Sequence, residues 1–238
     1  MKAVGVIGGL GPMATIYYLE QITKMTDAKR DQEHLKILLE SNPDTPDRTE
    51  YILGKKTANP LPVLIKAGRE LAGLGADFLT IPCITAHYFY EPLCEALPIP
   101  VLSLCADTAR ELAAKKIRKV GILATWGTIR GRILEQEFEK YDIESIYPEP
   151  DTQQLVMDII YDDIKKGTFP QEEQIRSICH SLLEKGAEKI ILGCTELSLL
   201  KKEFHLTAPY VDPLEVLAQK TVLFSGAPLK EMYQDVIQ

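Results

Sequence analysis

The stretch KAVGVIGGLG, residues 2–11, has a close counterpart in RKVGILATWG, residues 118–127. Each opens with a short, almost wholly apolar run, which is typical of a strand buried in a parallel sheet. A glycine follows the run in both segments, Gly11 in the first and Gly127 in the second. The recurrence predicts that the chain consists of two related halves.

The two halves also end alike. Gly-Ala-Asp at 75–77 leads through five residues to Cys83, and Gly-Ala-Glu at 186–188 leads through five residues to Cys194. From Val4 to Cys83 is 79 positions, and from Val120 to Cys194 is 74. Either match alone carries little weight, because Gly-Ala before a strand is common in α/β proteins. Two matches at nearly the same offset support an internal repeat.

Apolar runs that favour strands alternate along the chain with amphipathic segments such as LPVLIKAGRELAGLGA (61–76) and EEQIRSICHSLLEKGA (172–187). This alternation predicts an α/β fold with two pseudosymmetric lobes, each a mainly parallel sheet flanked by helices. We expect the active site in the cleft between the lobes. The predicted strands cover residues 3–7, 35–39, 78–82, 101–104, 120–124, 143–147, 189–192 and 209–211.

Both repeated cysteines follow the carboxyl end of a predicted strand, which is where open α/β sheets bind their ligands. If a pseudo-twofold axis relates the halves, Cys83 and Cys194 face each other across one cleft. Inverting a stereocentre without a cofactor requires an acid and a base on opposite sides of the carbon. Cysteine suits both roles, because thiol and thiolate are both accessible near neutral pH. The pattern therefore favours a cofactor-independent racemase that acts on an amino acid.

Four motifs resemble those of the aspartate/glutamate racemase superfamily: PCITAH (82–87) and GCTEL (193–197), and, as in its aspartate-racemase branch, GGLGPMAT (8–15) and SNPDTPDRT (41–49). The resemblance covers nearly the whole chain. It implies two catalytic cysteines, no pyridoxal phosphate, a homodimer and aspartate as the first-choice substrate. It also implies that the C-terminal segment returns to the first lobe, so we expect one lobe at 1–98 plus 210–238 and the other at 99–209.

The resemblance also assigns substrate contacts. Arg48 matches a family arginine that binds the side-chain carboxylate of the substrate, and its planar fork suits that role. Lys165, in YDDIKKG (161–167), matches a family lysine near the same position. A surface ion pair for Arg48, and a solvated helix-end charge for Lys165, are the alternative interpretations. Lys166 is adjacent and can be confused with Lys165.

Further contacts are predicted around the two cysteines. Thr85, Thr195 and Glu196 would hold the carboxylate and ammonium groups of the amino acid, although threonine is also an ordinary helix N-cap. We also expect Gly11 and Met13 of the N-terminal motif to line the substrate site.

Ile84 and His87 follow Cys83 in the motif PCITAH. Ile84 stands where the family usually has Asn, so the pocket is more apolar there, and substrates such as glutamate, homoserine or a broader amino-acid set are alternatives to aspartate. His87 lies four residues after Cys83. We expect it either to tune the thiol or to serve as a core histidine.

Two other functions compete with the racemase. Gly9, Gly11 and Ala14 also fit the GxGxxA dinucleotide pattern after a first strand, which would indicate a nucleotide-binding oxidoreductase or binding module. A dithiol redox protein would need Cys83 and Cys194 close enough to bridge. The remaining cysteines, Cys94, Cys105 and Cys179, are expected to be packing residues, because free cysteine usually behaves as a small buried hydrophobe.

The overall composition narrows the partners. The 238 residues carry a formal net charge of −7, and no basic run exceeds Lys-Lys, which argues against nucleic-acid or anionic-membrane binding. An anionic substrate therefore needs a local cationic pocket. The sequence has no long apolar span and no metal-type CxxC pair. We expect a cytoplasmic protein without a metal or organic cofactor.

Overall fold

The computed structural model describes residues 1–237, which form two parallel sheets with helices packed around them. The first sheet contains β1, β2 and β3, and the second contains β4 to β7. The predicted α/β fold class is confirmed. The strands are β1 (Val4–Gly8), β2 (Ile37–Ser41), β3 (Phe78–Thr80), β4 (Lys119–Ala124), β5 (Glu144–Ile146), β6 (Lys189–Gly193) and β7 (Tyr210–Val211).

The helices connect the strands as the alternating pattern predicts, and both amphipathic segments quoted above are helical. None of the helices described within 1–237 combines the length and the apolar character that a membrane span requires. The α-helices are α1 (Pro12–Met25), α2 (Arg48–Ile52), α3 (Leu61–Gly73), α4 (Tyr90–Ala96), α5 (Leu104–Ala114), α6 (Trp126–Arg130), α7 (Glu135–Glu139), α8 (Pro150–Asp158), α9 (Glu172–Glu184), α10 (Leu197–Glu203) and α11 (Pro213–Ser225). Shorter 3₁₀ segments lie at Asp31–Glu33, Thr85–Phe89, Ile164–Lys166 and Glu231–Tyr233, and a π-helical turn lies at Ile159–Asp163.

The two sheets repeat one topology. Their orders are β2-β1-β3 and β5-β4-β6-β7, and every strand pair is parallel. The two segments that match in sequence, β1 and β4, are thus each flanked by the next strand along the chain on one side and by the strand after that on the other. The internal repeat inferred from the sequence is a repeat of the fold.

Matched glycines explain why β1 and β4 read so alike. A Cβ atom added at Gly5 would lie 3.1 Å from the Cβ of Leu71, and one added at Gly121 would lie 2.9 Å from the Cβ of Leu182. Leu71 belongs to α3 and Leu182 to α9. In each half, therefore, the crossover helix lies directly on the glycine of the central strand.

The two halves share one hydrophobic core. Val4 and Val6 of the first sheet belong to the same buried cluster as Val120 and Ile122 of the second, together with apolar residues of α11. Helix α11 packs against α1, against α5 and against β6. The division into lobes, with its expected boundary at 209/210, remains a prediction. Tyr210–Val211, just after that boundary, pairs with β6 of the second sheet.

One predicted strand is wrong. Of the segment 101–104, only Val101 joins the sheet, through a single bridge to Leu79. The Ser103 hydroxyl then accepts a hydrogen bond from the Ala106 amide and caps α5, which begins at Leu104. Because a good N-cap favours helix over strand, the extended segment ends after two residues. The other predicted strands are present with ends shifted by a few residues.

The close approach of α9 to β4 predicts the cost of filling it. Gly121→Ala should lower the free energy of unfolding by about 1–3 kcal/mol, because the new methyl group collides with Leu182 and Ile190. Gly73→Ala is the matched control: no heavy atom lies within 4 Å of the added methyl, and the change should stabilise the protein by about 0.4–1 kcal/mol. Urea titration measures both, and equal stability of the two variants would contradict the packing described here.

Candidate active site

One small pocket lies between the carboxyl ends of the two sheets, and both Cys83 and Cys194 line it. We call it the inner pocket. Its volume is about 10 Å³, close to the space that one water molecule needs. In the described structure the pocket is nearly closed, so an amino acid enters only when its walls move apart. The lining residues are Leu10, Asp47, Arg48, Thr49, Cys83, Ile84, Thr85, Thr125, Tyr161, Lys165, Cys194, Thr195 and Glu196.

A larger cavity of about 400 Å³, the outer pocket, adjoins the inner pocket. The two share Leu10, Asp47, Arg48, Lys165 and Glu196, which therefore form the boundary between them. Gly11 and Met13 line the outer pocket only, and Met13 is exposed. Predicted site residues thus separate into an inner set around the thiols and an outer pair on the approach.

The strand ends place the two thiols. Cys83 follows β3 after a two-residue extension, and Cys194 follows β6 directly. Their side chains are 5% and 6% exposed, so both are buried but both reach the same pocket. One cysteine from each half therefore lines this pocket, and their catalytic role stays a prediction.

A carboxylate faces the second thiol. The Cys194 thiol donates a hydrogen bond of 2.8 Å to Oε2 of Glu196. Burial, reinforced by the charge of Glu196, raises the pKa of the Cys194 thiol well above its usual range, although Lys165 acts in the opposite direction. These surroundings favour the neutral thiol of Cys194, the form that can give a proton away.

A guanidinium group lies beside the first thiol. Arg48 begins α2, just after the N-cap Asp47, and donates hydrogen bonds to the backbone carbonyls of Thr45, Pro46 and Leu10. Burial alone would lower the pKa of Arg48, but the neighbouring Cys83 and Asp47 outweigh it and raise that pKa. Its buried Nε–H has no hydrogen-bond partner among the described residues. A donor left unpaired in a pocket costs free energy and is ready for an anionic ligand.

The π-helical turn at Ile159–Asp163 and the 3₁₀ segment at Ile164–Lys166 that follows it place two more groups. The Tyr161 hydroxyl donates to Asp47 at 3.1 Å, and burial raises the pKa of Tyr161 to about 12. The ammonium of Lys165 lies 3.9 Å from the centre of the Tyr161 ring and 3.9 Å from Oδ2 of Asp47. Burial opposes the charge of Lys165, but nearby acidic groups, above all Glu196, raise its pKa. π-turns recur at functional sites because they re-aim side chains in this way.

The glycine-rich loop owes its composition to this site. A Cβ atom at Gly11 would lie 2.5 Å from Oε1 of Glu196, and a Cβ at Gly9 would lie 2.4 Å from the backbone nitrogen of Asn42. Both glycines are therefore explained by close internal contacts. The carboxylate beside Gly11 would also repel a phosphate, so the geometry disfavours the nucleotide-binding alternative.

His87 holds the backbone near Cys83. The Leu104 amide donates to Nε2 of His87 at 3.1 Å, so Nδ1 carries the proton and donates to the Cys83 carbonyl at 2.9 Å. Burial lowers the pKa of His87 and keeps the ring neutral. Because backbone groups occupy both ring nitrogens, the geometry favours the core-histidine alternative over direct tuning of the thiol. His87 is a positioning residue.

Several groups that line the inner pocket were not among the residues predicted from the sequence. Asp47 lies in the motif quoted for Arg48, and Tyr161 lies in the motif quoted for Lys165. Their closeness in sequence to these two residues was the available signal. The Thr49 hydroxyl donates a hydrogen bond of 3.1 Å to the Thr125 hydroxyl and so joins α2 to the end of β4. No pattern in the sequence pairs these two threonines, because they come from different halves of the repeat.

The other cysteines have mixed surroundings. All five cysteines are free thiols, and Cys105 and Cys179 are buried, as expected for packing residues. Cys94, by contrast, is exposed, which corrects the expectation that it packs in an apolar environment. Its position on the short helix α4 turns it toward solvent.

Comparisons with known proteins place the chain among racemases. The family model described as Asp/Glu/hydantoin racemase matches residues 7–221. The structure of an aspartate racemase from Picrophilus torridus superposes with a TM-score of 0.87 at 28% identity and covers 98% of each chain. The chain is 26% identical to a broad-specificity amino-acid racemase of Bacillus subtilis over 92% of its own length and 96% of the relative. It is also 30% identical to a glutamate racemase of Deinococcus radiodurans over 69% of this chain and 59% of that one.

The buried ring of His87 predicts a pH-dependent loss of stability. His87→Ala should cost about 1–3 kcal/mol at neutral pH, because it leaves the Leu104 amide unpaired. Below pH 6.5, the ordinary pKa of histidine, the unfolded chain binds a proton that the folded chain refuses, so the contribution of His87 shrinks. The gap between wild type and variant in urea titrations should therefore narrow as the pH falls.

His180→Ala is the control for this experiment, because His180 is exposed on α9 and its side chain is 72% accessible. This variant should have the same free energy of unfolding as the wild type at pH 8 and at pH 5. A gap for His87→Ala that stays constant from pH 8 to pH 5 would refute a neutral, buried ring.

Proposed function

Because the chain belongs to the Asp/Glu/hydantoin racemase family, we propose that it is a pyridoxal-phosphate-independent isomerase that racemises a small acidic amino acid, with aspartate as the first choice. The observation that carries the proposal is the shared pocket: one thiol from each half lines the same cavity at the carboxyl ends of the sheets. A pair of groups on opposite sides of a carbon is what inversion of its configuration requires.

In one direction, the sulfur of Cys83 takes the proton from Cα. The C–H bond breaks, an S–H bond forms, and the electron pair passes into the substrate carboxylate as an enediolate. The thiol of Cys194 then gives its proton to the opposite face, which restores the C–H bond with inverted configuration. The reverse reaction exchanges the two roles. Neutral Cys194, as its surroundings dictate, is ready for the first of these directions.

Charged groups of both signs lie at the boundary of the inner pocket. The chain as a whole repels anions, since its formal net charge is −7, yet Arg48 and Lys165 bring two positive charges to this boundary, where the carboxyl groups of Asp47 and Glu196 also lie. The unpaired Nε–H of Arg48 is placed to bind a carboxylate, and Lys165 offers a second cation. Thr85 and Thr195 line the inner pocket and supply hydroxyl groups for the polar ends of the substrate.

A broader substrate range is the second candidate, and the pocket walls favour it. Ile84 is fully buried and presents an apolar wall beside Cys83. Leu10, Met13 and Leu199 line the outer pocket, whose volume of about 400 Å³ has room for side chains longer than that of aspartate. The relative from Bacillus subtilis is described as having broad specificity. Glutamate and homoserine are therefore further substrates to test.

A homodimer, which the family resemblance implies, and a cytoplasmic location, which the composition of the sequence led us to expect, stay predictions. Light scattering on the purified protein tests the first. Fractionation of cells that produce the full chain tests the second. The proposed mechanism needs neither, because all the groups it uses come from one chain.

The two-thiol mechanism predicts the effect of removing either sulfur. Cys83→Ala and Cys194→Ala should each lower the racemisation rate about 100- to 10,000-fold, the usual contribution of a positioned acid or base. Circular dichroism follows the conversion of each enantiomer for the chiral amino acids. Cys94→Ala is the matched control, because Cys94 is exposed and lies in neither pocket, and it should keep full activity. Wild-type turnover in either active-site variant would rule out the mechanism.

Lys165 and Lys166 allow a test of the cationic boundary. Lys165→Met should lower kcat/KM for aspartate about 10- to 100-fold, as expected for loss of a 1.5–3 kcal/mol interaction with a charged group, and should affect alanine less. Lys166→Met should change little, because Lys166 is exposed and pairs with Asp162. Steady-state kinetics on both substrates measure the difference, and equal losses in the two variants would contradict the assignment of Lys165.

A further inference from the structure

We propose that Glu196 is a proton relay that returns Cys194 to its thiol form between turnovers, an inference that rests on the proposed racemase function. Two-thiol inversion creates the need for such a group. Each turnover moves a proton from one sulfur to the substrate and from the substrate to the other sulfur. The two cysteines are then in the protonation state that the reverse reaction needs. Net conversion continues only after Cys83 has released a proton to solvent and Cys194 has taken one up.

The two oxygens of Glu196 have different surroundings. Oε2 accepts the hydrogen bond from the Cys194 thiol at 2.8 Å. Oε1 is buried and has no hydrogen-bond partner among the described residues. Leaving such an acceptor unpaired in a pocket costs about 1–3 kcal/mol, which points to an occupant such as water. Glu196 therefore has one oxygen on the reacting sulfur and one ready for a donor.

The free oxygen lies on the side of the outer pocket. Oε1 lies against Gly11, which lines the outer pocket and not the inner one. Glu196 itself lines both pockets. Oε1 is buried in the described structure, but because Gly11 has no side chain, no Cβ atom covers it once the boundary between the two pockets moves. The carboxylate thus links the nearly closed chamber of the thiols to the larger cavity.

In the repeat, only Cys194 has a carboxyl group two positions after it. Cys194 is followed by Thr195 and Glu196, whereas Cys83 is followed by Ile84 and Thr85. The position that corresponds to Glu196 in the first half is therefore Thr85, whose hydroxyl group does not ionise at neutral pH. The charged neighbour of Cys83 is Arg48, which cannot release its proton either.

Resetting removes one proton from Cys83 and adds one to Cys194. Cys83 loses its proton to solvent, and a hydronium ion or buffer acid in the outer pocket protonates Oε1 of Glu196. The carboxyl group turns about its Cγ–Cδ bond, its O–H bond breaks, and an S–H bond forms on Cys194. The carboxylate is restored. One proton leaves Cys83, one arrives at Cys194, and no electron changes hands.

The test compares two rates in the full-length enzyme. The first is net conversion of one pure enantiomer at saturating substrate, which requires resetting. The second is the exchange of carbon label between enantiomers in a racemic mixture, which does not, because the opposite enantiomer resets the enzyme. Glu196→Gln should lower the ratio of net rate to exchange rate at least about tenfold, within the usual range for a proton-transfer group. Added imidazole, a small diffusible acid, should restore part of the net rate.

Gly11→Ala gives an independent arm, because its methyl group would lie 2.5 Å from Oε1 and cover it. This variant should lower the same ratio. Glu203→Gln, at the exposed end of α10, is the control and should leave the ratio unchanged.

The outcomes separate the two proposals. If the wild type racemises no amino acid, the proposed function fails. If the wild type racemises but Glu196→Gln lowers both rates equally and imidazole has no effect, Glu196 only binds or positions, and the relay is overturned. A fall in the ratio with rescue by imidazole supports the relay.

Discussion

The convergence of two parallel strand ends on one nearly closed pocket is the constraint on which the rest of the structure depends. β3 and β6 end in loops that place a cysteine at the same cavity, although the two residues are more than a hundred positions apart. Their relative placement is fixed by a core that includes apolar residues of both sheets and of α11. Because this core is continuous, the halves cannot separate without exposing it to water.

Opposite charges distinguish the two thiols that the fold makes nearly equivalent. Cys83 neighbours the guanidinium of Arg48, and Cys194 neighbours the carboxylate of Glu196. A racemase must catalyse both directions, but its empty form holds its protons in one arrangement. The departure from symmetry at Glu196 and Thr85 places a carboxyl group two positions after one cysteine and a hydroxyl group two positions after the other.

The closed inner pocket has consequences for specificity. An aspartate molecule is far larger than the space of about 10 Å³, so binding must move the boundary formed by residues such as Arg48 and Lys165. Closure around the substrate would then remove water, and electrostatic interactions strengthen when water is excluded. The apolar part of the outer pocket, including Met13 and Leu199, is the surface that longer side chains would meet.

Much of this organisation follows from local patterns. Runs such as VGVIG and KVGILA determine buried parallel strands, the glycines within them allow a helix to lie directly on top, and the repeated spacing places a cysteine after a strand in each half. These features depend on residues close together in the chain, so their periodicity is visible in the sequence. The extended segment at 101–104 was mispredicted because the Ser103 cap outweighed a short β-rich run.

Only the tertiary structure decided the environment of each functional group. His87 forms a backbone brace because Leu104, far from it in the chain, reaches its ring. Gly11 touches Glu196, Thr49 touches Thr125, and Tyr161 touches Asp47 across the interface between the halves. Sequence alone determined which chemistry the chain carries and where each half presents it. The charges that face each thiol come from contacts at long sequence separation, which no local pattern encodes.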